Sequence, residues 1–150
     1  MDDDVPLARL LAVGLRVVVD AMHEQLAAGG HPGLRPAHGF ALNAVGAAGA
    51  TTTEVGALLG MTKQGAAKLV QSLVDTGYLR RRPHPGDARA QLLVLTARGK
   101  QALRLAATAQ HGIEQQLQDK LGEADVQALR RVLRRLHEEG EGIPALRPVW

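Results

Sequence analysis

The sequence predicts a mainly α-helical fold with one small β-hairpin. Leu, Val and Ala recur at helical spacing along most of the 150 residues. That pattern breaks between Tyr78 and Leu95, where two short β-rich runs flank Pro83-His84-Pro85-Gly86-Asp87. Aromatic residues are limited to Phe40, Tyr78 and Trp150, so the core must be built from aliphatic side chains on closely packed helices.

The elements follow in order. Pro6 suits the first turn of a helix, and Leu7, Leu10, Leu11, Gly14, Val17, Val18, Ala21, Met22 and Gln25 keep its period up to Gly29-Gly30. His31 to Arg35 is a linker. Pro36 opens a second helix through Phe40, Leu42, Ala44 and Val45, with Gly46 and Gly49 softening its end. Thr51 and Glu54 have capping-box spacing and start a short helix that runs to Leu58 or Leu59. Gly60 supplies a turn. Thr62 caps a further helix with Ala66, Leu69, Val70, Leu73 and Val74 on one face, ended by Gly77. Tyr78 to Arg82 and Gln91 to Leu95 are the strands of the hairpin. Thr96 caps a long helix from Ala97 to about Lys120, and Gly122 separates it from a last helix over 123–137 with Val126, Leu129, Val132, Leu133 and Leu136 inside. Residues 140–150 are a loop or tail, and Trp150 is expected to pack on the body or on a partner.

Composition excludes several classes of function. The chain has no cysteine, which removes disulfides, thiolate metal sites and thiol nucleophiles. No apolar run reaches membrane-spanning length. Asp2, Asp3 and Asp4 are unlike the cationic start of a signal peptide, so the expectation is a soluble, cytoplasmic protein. No strained nucleophile turn, Gly-rich phosphate loop or facing carboxylate pair is present, so no catalytic residue and no cofactor are expected. His23, His31 and His38 have only Glu24 as a nearby carboxylate, too few ligands for a metal site.

Charge distribution says more than the net charge of +3. Arg80, Arg81, Arg82 and Arg89 crowd the middle of the chain near Lys63 and Lys68, and acid gathers at the ends. A basic patch on a nearly neutral chain suits a polyanion. A short helix, a glycine turn, a capped helix and a hairpin form the plan of a winged helix-turn-helix. If the helix after Thr62 buries its apolar face, Lys63, Gln64, Ala67, Lys68 and Gln71 point to solvent. These donors, acceptors and one small apolar group suit the edges of bases in a major groove, and the first turn suits a phosphate.

The ordered set Gly60-Met61-Thr62-Lys63-Gln64, Lys68-Leu69-Val70, Leu73, Gly77-Tyr78-Leu79-Arg80-Arg81, Asp87-Ala88-Arg89 and Leu95-Thr96-Ala97-Arg98-Gly99 resembles the MarR family of bacterial transcription regulators. The resemblance spans roughly residues 35–105 in motif and extends in helix order to about His137. It implies a homodimer with N- and C-terminal dimerisation helices, in which two winged units straddle a pseudo-palindromic site on double-stranded DNA. It divides one integrated domain into a dimerisation helix and linker (1–34), a DNA-binding winged unit (35–96), and dimerisation helices with a tail (97–150). It implies DNA contacts from Thr62, Lys63, Gln64, Ala67, Lys68, Gln71 and Arg81, with Arg89 entering the minor groove and Asp87 holding it. It further implies a crevice for a small anionic or phenolic effector, placed by position near Arg16, His23, His38, Phe40 and His111. Two departures stand out. Ala88 replaces a frequent second wing arginine, and Gly46, Gly49 and Gly56 suggest looser packing of the second and third helices.

Simpler readings of the same residues stay open. Lys63, Gln64 and Lys68 also fit an ordinary solvated helix face. Arg81 and Arg82 also fit an edge strand protected by charge, and Asp87 with Arg89 a surface turn pair. The apolar stripes of the last two helices fit a core, a dimer seam, or both. The alternative function is a nucleoid-associated protein without sequence choice, or a winged helix used for protein interaction.

Overall fold

The computed structural model describes residues 5–139, so Trp150 and the tail lie outside the described residues. Its elements are α1 (Leu7–Ala28), α2 (Pro36–Val45), α3 (Thr52–Leu58), α4 (Lys63–Asp75), β1 (Leu79–His84), β2 (Asp87–Leu95), α5 (Ala97–Leu121) and α6 (Glu123–Glu139). The chain is mainly α-helical with one antiparallel hairpin, as the periodicity predicts. No described helix is long and apolar enough to cross a membrane.

Local chemistry explains the helix ends. Thr51 accepts the Glu54 amide at 3.2 Å, and Glu54 accepts the Thr51 amide at 2.7 Å, so both halves of the capping box are made. This arrangement holds the Glu54 carboxyl below its ordinary pKa, chiefly through the Thr51 backbone N–H. α1, α3 and α4 end alike. In each, a glycine with positive φ (Gly30, Gly60, Gly77) turns the chain, and the next amide (His31, Met61, Tyr78) returns to a carbonyl of the last turn (Leu26, Gly56, Leu73).

The winged unit holds the core. Leu42, Val45, Val55, Leu59, Val70, Leu73, Leu79 and Leu93 are fully buried, drawn from α2, α3, α4 and both strands. The long α5 carries Ala102 into this cluster and packs along α1. Gly49 and Gly56 do not loosen the packing, contrary to the expectation from their number. A Cβ on Gly56 would lie 3.0 Å from the Ala66 Cβ, and one on Gly49 would lie 2.8 Å from the Leu93 carbonyl oxygen. These glycines let α3 approach α4, and let the α2–α3 loop pair with β2 through Ala50 and Leu93.

The hairpin is longer than its residues suggest. Composition places Pro83 in the turn, but it lies in β1 opposite Gln91. Proline only withholds an N–H, which an edge strand tolerates. Pairing then shifts, because His84 lies opposite Asp87. The apolar stripe of α6 is not inside this chain. Only Val126 is buried, whereas Leu129, Val132, Leu133 and Leu136 are 43–61% exposed. In α1, Leu7, Val13 and Val17 are 58–70% exposed. Among the described residues no second layer covers these faces.

His31 and Tyr78, the residues that follow the end turns of α1 and α4, meet in the interior. His31 Nδ1 lies 2.9 Å from the Tyr78 hydroxyl, which also lies 3.2 Å from Arg98 Nη2. The Arg98 guanidinium covers the Tyr78 ring at 4.7 Å. Arginine can only donate, so the tyrosine oxygen accepts from Arg98. His31 Nε2 is buried without a hydrogen-bond partner among the described residues. Burial, with Arg98 second, holds the His31 pKa below its ordinary 6.5.

The sign of the pH dependence follows. The unfolded chain takes up this proton first as pH falls through 6.5, so His31 favours the native state above that pH and loses its contribution below it. Urea denaturation at pH 7.5 and about pH 5 should show a smaller acid-induced loss for His31→Gln than for the unsubstituted chain. Equal losses would mean that another group carries the titration.

Candidate nucleic-acid interface

α4 presents two chemically distinct faces. Ala66, Val70 and Leu73 are buried and Leu69 and Val74 are half-buried, whereas Lys63, Gln64, Ala67, Lys68 and Gln71 are all exposed. The Thr62 hydroxyl accepts the Gly65 amide at 3.1 Å, which fixes the first turn. The N-terminal end of α4 therefore joins unpaired backbone N–H groups to the Lys63 ammonium, a combination suited to an anion.

The wing is seated on α5 by backbone contacts. The Thr96 hydroxyl donates to the Gly77 carbonyl at 2.6 Å and accepts the Gly99 amide at 3.1 Å, and the Thr96 amide donates to the Tyr78 carbonyl at 3.1 Å. Gly99 lies so near that carbonyl that a Cβ would stand 2.3 Å from its oxygen. The Leu95-Thr96-Ala97-Arg98-Gly99 run thus has a physical basis. Threonine caps α5 while gripping the end of α4, and glycine permits the close approach.

At the wing tip, Ala88, Arg89 and Ala90 fall between the Asp87–His84 and Gln91–Pro83 pairs and have no partner residues on β1. The irregularity places exposed Arg89 on the part of β2 that leaves the ladder. Asp87 Oδ1 accepts the Arg89 amide at 2.9 Å, and His84 Nδ1 accepts the Gly86 amide at 3.0 Å. Asp87 thus holds the backbone of Arg89, whereas the resemblance implied only that it holds the residue. Arg81, on β1, is exposed but engaged: its Nη2 donates to Gln71 Oε1 at 2.9 Å. Gln71 is therefore not a free amide, which exposure alone would not reveal.

The crevice residues divide. A cavity of about 230 Å³ lies between α1, α2 and α5, and His23 and Phe40 line it. Arg16, His38 and His111 are not among its lining residues. Arg16 is exposed and pairs with Asp20 one turn on, at 3.3 Å. His38 Nδ1 accepts the Arg35 amide at 2.9 Å and so serves as a cap of α2; burial, then Arg35, lowers its pKa. His111 is exposed on α5. Proximity along the chain could not distinguish a helix face turned inward from one turned out. Arg35 and Asn43 also line the cavity, and no sequence motif marks either. The remaining walls are mostly Leu, Val, Met and Ala, and His23 Nε2 is buried with no hydrogen-bond partner among the described residues. No group of three His, Cys, Asp or Glu suited to a metal occurs among the described residues.

The sequence model of the MarR family matches residues 33–90, which run from the α1–α2 linker through the wing tip. A crystal structure of MarR has the same fold, with a TM-score of 0.71 and 27% identity over 93% of this chain and 93% of that one. Residues 33–90 thus match the MarR family in sequence, and the fold is that of MarR. A mutant of MarR from E. coli complexed with operator DNA shares the fold, with a TM-score of 0.70 and 22% identity over 88% of this chain and 94% of that one. An uncharacterized protein of Mycobacterium tuberculosis is 31% identical over 86 residues, 57% of this chain, and the match spans 60% of that relative's length. The MarR-family match thus ends at the wing, while the structural likeness continues into α5 and α6.

Gly99→Ala should lower the free energy of unfolding by about 1–3 kcal/mol, because the clash is with backbone that cannot rotate away. Denaturant titration measures this, and an unchanged midpoint would show that α5 need not sit so close to Tyr78.

Proposed function

We propose that this protein is a transcription regulator, a repressor that binds a pseudo-palindromic site on double-stranded DNA as a homodimer in the cytoplasm. The observation that carries this reading is the pairing of two exposed surfaces on one rigid unit: the Lys63, Gln64, Ala67 and Lys68 face of α4, and the Arg89 wing tip. Thr62, Lys63, Gln64 and Lys68 serve the major groove and its flanking phosphates. Arg89 serves the minor groove, where narrow A·T-rich stretches favour arginine. The relative solved on operator DNA supports this assignment.

The second copy of the chain is the partner that suits α1 and α6. Their uncovered leucines and valines form more apolar surface than isolated exposed side chains would. In this reading residues 1–34 and 97–150 supply the dimer, and residues 35–96 bind DNA. Two-fold symmetry then sets the half-sites about 34–36 Å apart.

Release by a small molecule fits the cavity that His23 and Phe40 line. Its walls suit a phenolic body with a hydroxyl for His23 Nε2, and Arg35 is the one cationic side chain lining it for an anionic group. Such a compound acts only if it binds the released and DNA-bound states with different affinity.

Selection of random duplex DNA on the purified protein at about 50 and 200 mM salt tests the reading, with affinity expected to fall by on the order of 10³–10⁵ between them. An enriched near-palindrome supports a specific regulator. A steep salt slope without enrichment supports backbone binding alone, and no binding favours an interaction module. Arg89→Ala should weaken binding to the selected duplex about 10- to 100-fold and leave the dimer and its unfolding midpoint intact. Unchanged affinity would remove the wing from the interface. Sedimentation at micromolar concentration should give a dimer, and Val132→Glu with Leu136→Glu should shift it towards monomer; a monomer before substitution would contradict the assembly.

A further inference from the structure

Three side chains bridge α4 and the wing. Arg81 Nη2 donates to Gln71 Oε1 at 2.9 Å, and Gln71 Nε2 donates to Asp75 Oδ1 at 2.7 Å. The donor order admits one orientation of the amide. A guanidinium has no acceptor and must face the amide oxygen, and a carboxylate has no donor and must face the amide nitrogen. Reading adenine would require the same amide to offer both its oxygen and its nitrogen to one base. In Gln71 both ends are already committed to charged partners, and hydrogen bonds to charged groups are the stronger kind.

Arg81 gains what Gln71 gives up. It stands on β1 opposite Leu93, whose residue pairs on its other side with Ala50 in the α2–α3 loop. The backbone beneath Arg81 is therefore tied into the winged unit, but its long side chain is exposed. The Gln71 contact uses one edge of the guanidinium and leaves its other donors available beside the exposed face of α4.

We propose that Gln71 is a positioning residue for DNA binding: it holds the Arg81 guanidinium at the junction of α4 and the wing, oriented to clamp a phosphate, and it does not read a base. Asp75 fixes the amide that does the holding. This inference rests on the DNA-binding reading above. In consequence the helix in the major groove and the strand leading to the minor-groove arginine meet the duplex with a shared phosphate contact already aimed.

The test uses the full-length protein and the duplex enriched from the random pool, together with duplexes carrying single base-pair changes at each position. Gln71→Ala should weaken binding about three- to ten-fold, by the same factor on every duplex. Arg81→Ala should weaken it about ten-fold or more and reduce the salt slope by about one. The double variant should bind within about two-fold of Arg81→Ala alone, since Gln71 acts through the arginine. In the free protein, the Arg81 Nε–Hε group should be ordered by ¹⁵N relaxation and should lose that order in Gln71→Ala. Losses that multiply, a preference that changes at one base pair, an ineffective Arg81→Ala, or an Arg81 signal indifferent to Gln71 would each overturn the proposal. If the unsubstituted protein binds no duplex, the DNA-binding reading fails first, and the relaxation measurement still decides whether Gln71 positions Arg81.

Discussion

The contact between His31 and Tyr78 joins the parts of the chain that must keep a fixed relation for the rest to work. Each residue follows the turn that ends a helix, and each is brought inward by an amide that returns to that helix. Tyr78 then serves twice. Its hydroxyl meets His31 and Arg98, and its carbonyl meets Thr96 and the bare Cα of Gly99. The end of α1, the end of α4, the root of the wing and the first turn of α5 are thereby held at one point. The local order comes from hydrogen bonds within a few residues, and one phenol joins these ends across the buried aliphatic core.

That junction has an electrostatic condition. It favours a neutral imidazole, because protonation would add positive charge near Arg98. Burial supplies the condition by disfavouring the charged form. The buried His31 Nε2, without a partner among the described residues, is a cost of the arrangement.

The surface that faces outward follows from the same frame. α4 is amphipathic, so burying Ala66, Val70 and Leu73 against α2 and α3 turns Lys63, Gln64, Ala67 and Lys68 to solvent. The wing is tied to the same body through Ala50 and Leu93 and through Arg81 and Gln71. A cationic face and a cationic tip are therefore carried by one unit whose backbone is fixed, which limits the ordering required on meeting a ligand. The uncovered leucines and valines of α1 and α6 show where the remaining apolar surface lies, and nothing among the described residues buries it.

The sequence by itself determined whatever depends on neighbours along the chain. The capping box of Thr51 and Glu54, the caps at Thr62 and Thr96, the glycines that end helices, the inward and outward faces of α4, and the existence of a hairpin all arise from local hydrogen bonds and helical period. Only the tertiary structure decided what depends on approach between distant segments. Pro83 sits in a strand because its partner, Gln91, requires no amide there. Gly49 and Gly56 tighten packing because of what lies against them, not because of their number. His38 caps a helix while His23 lines a cavity, and Gln71 is engaged because Arg81 comes back beside it ten residues later. In each case the residue type permits several roles, and the deciding contact is made by a residue whose position is set only when the chain has folded.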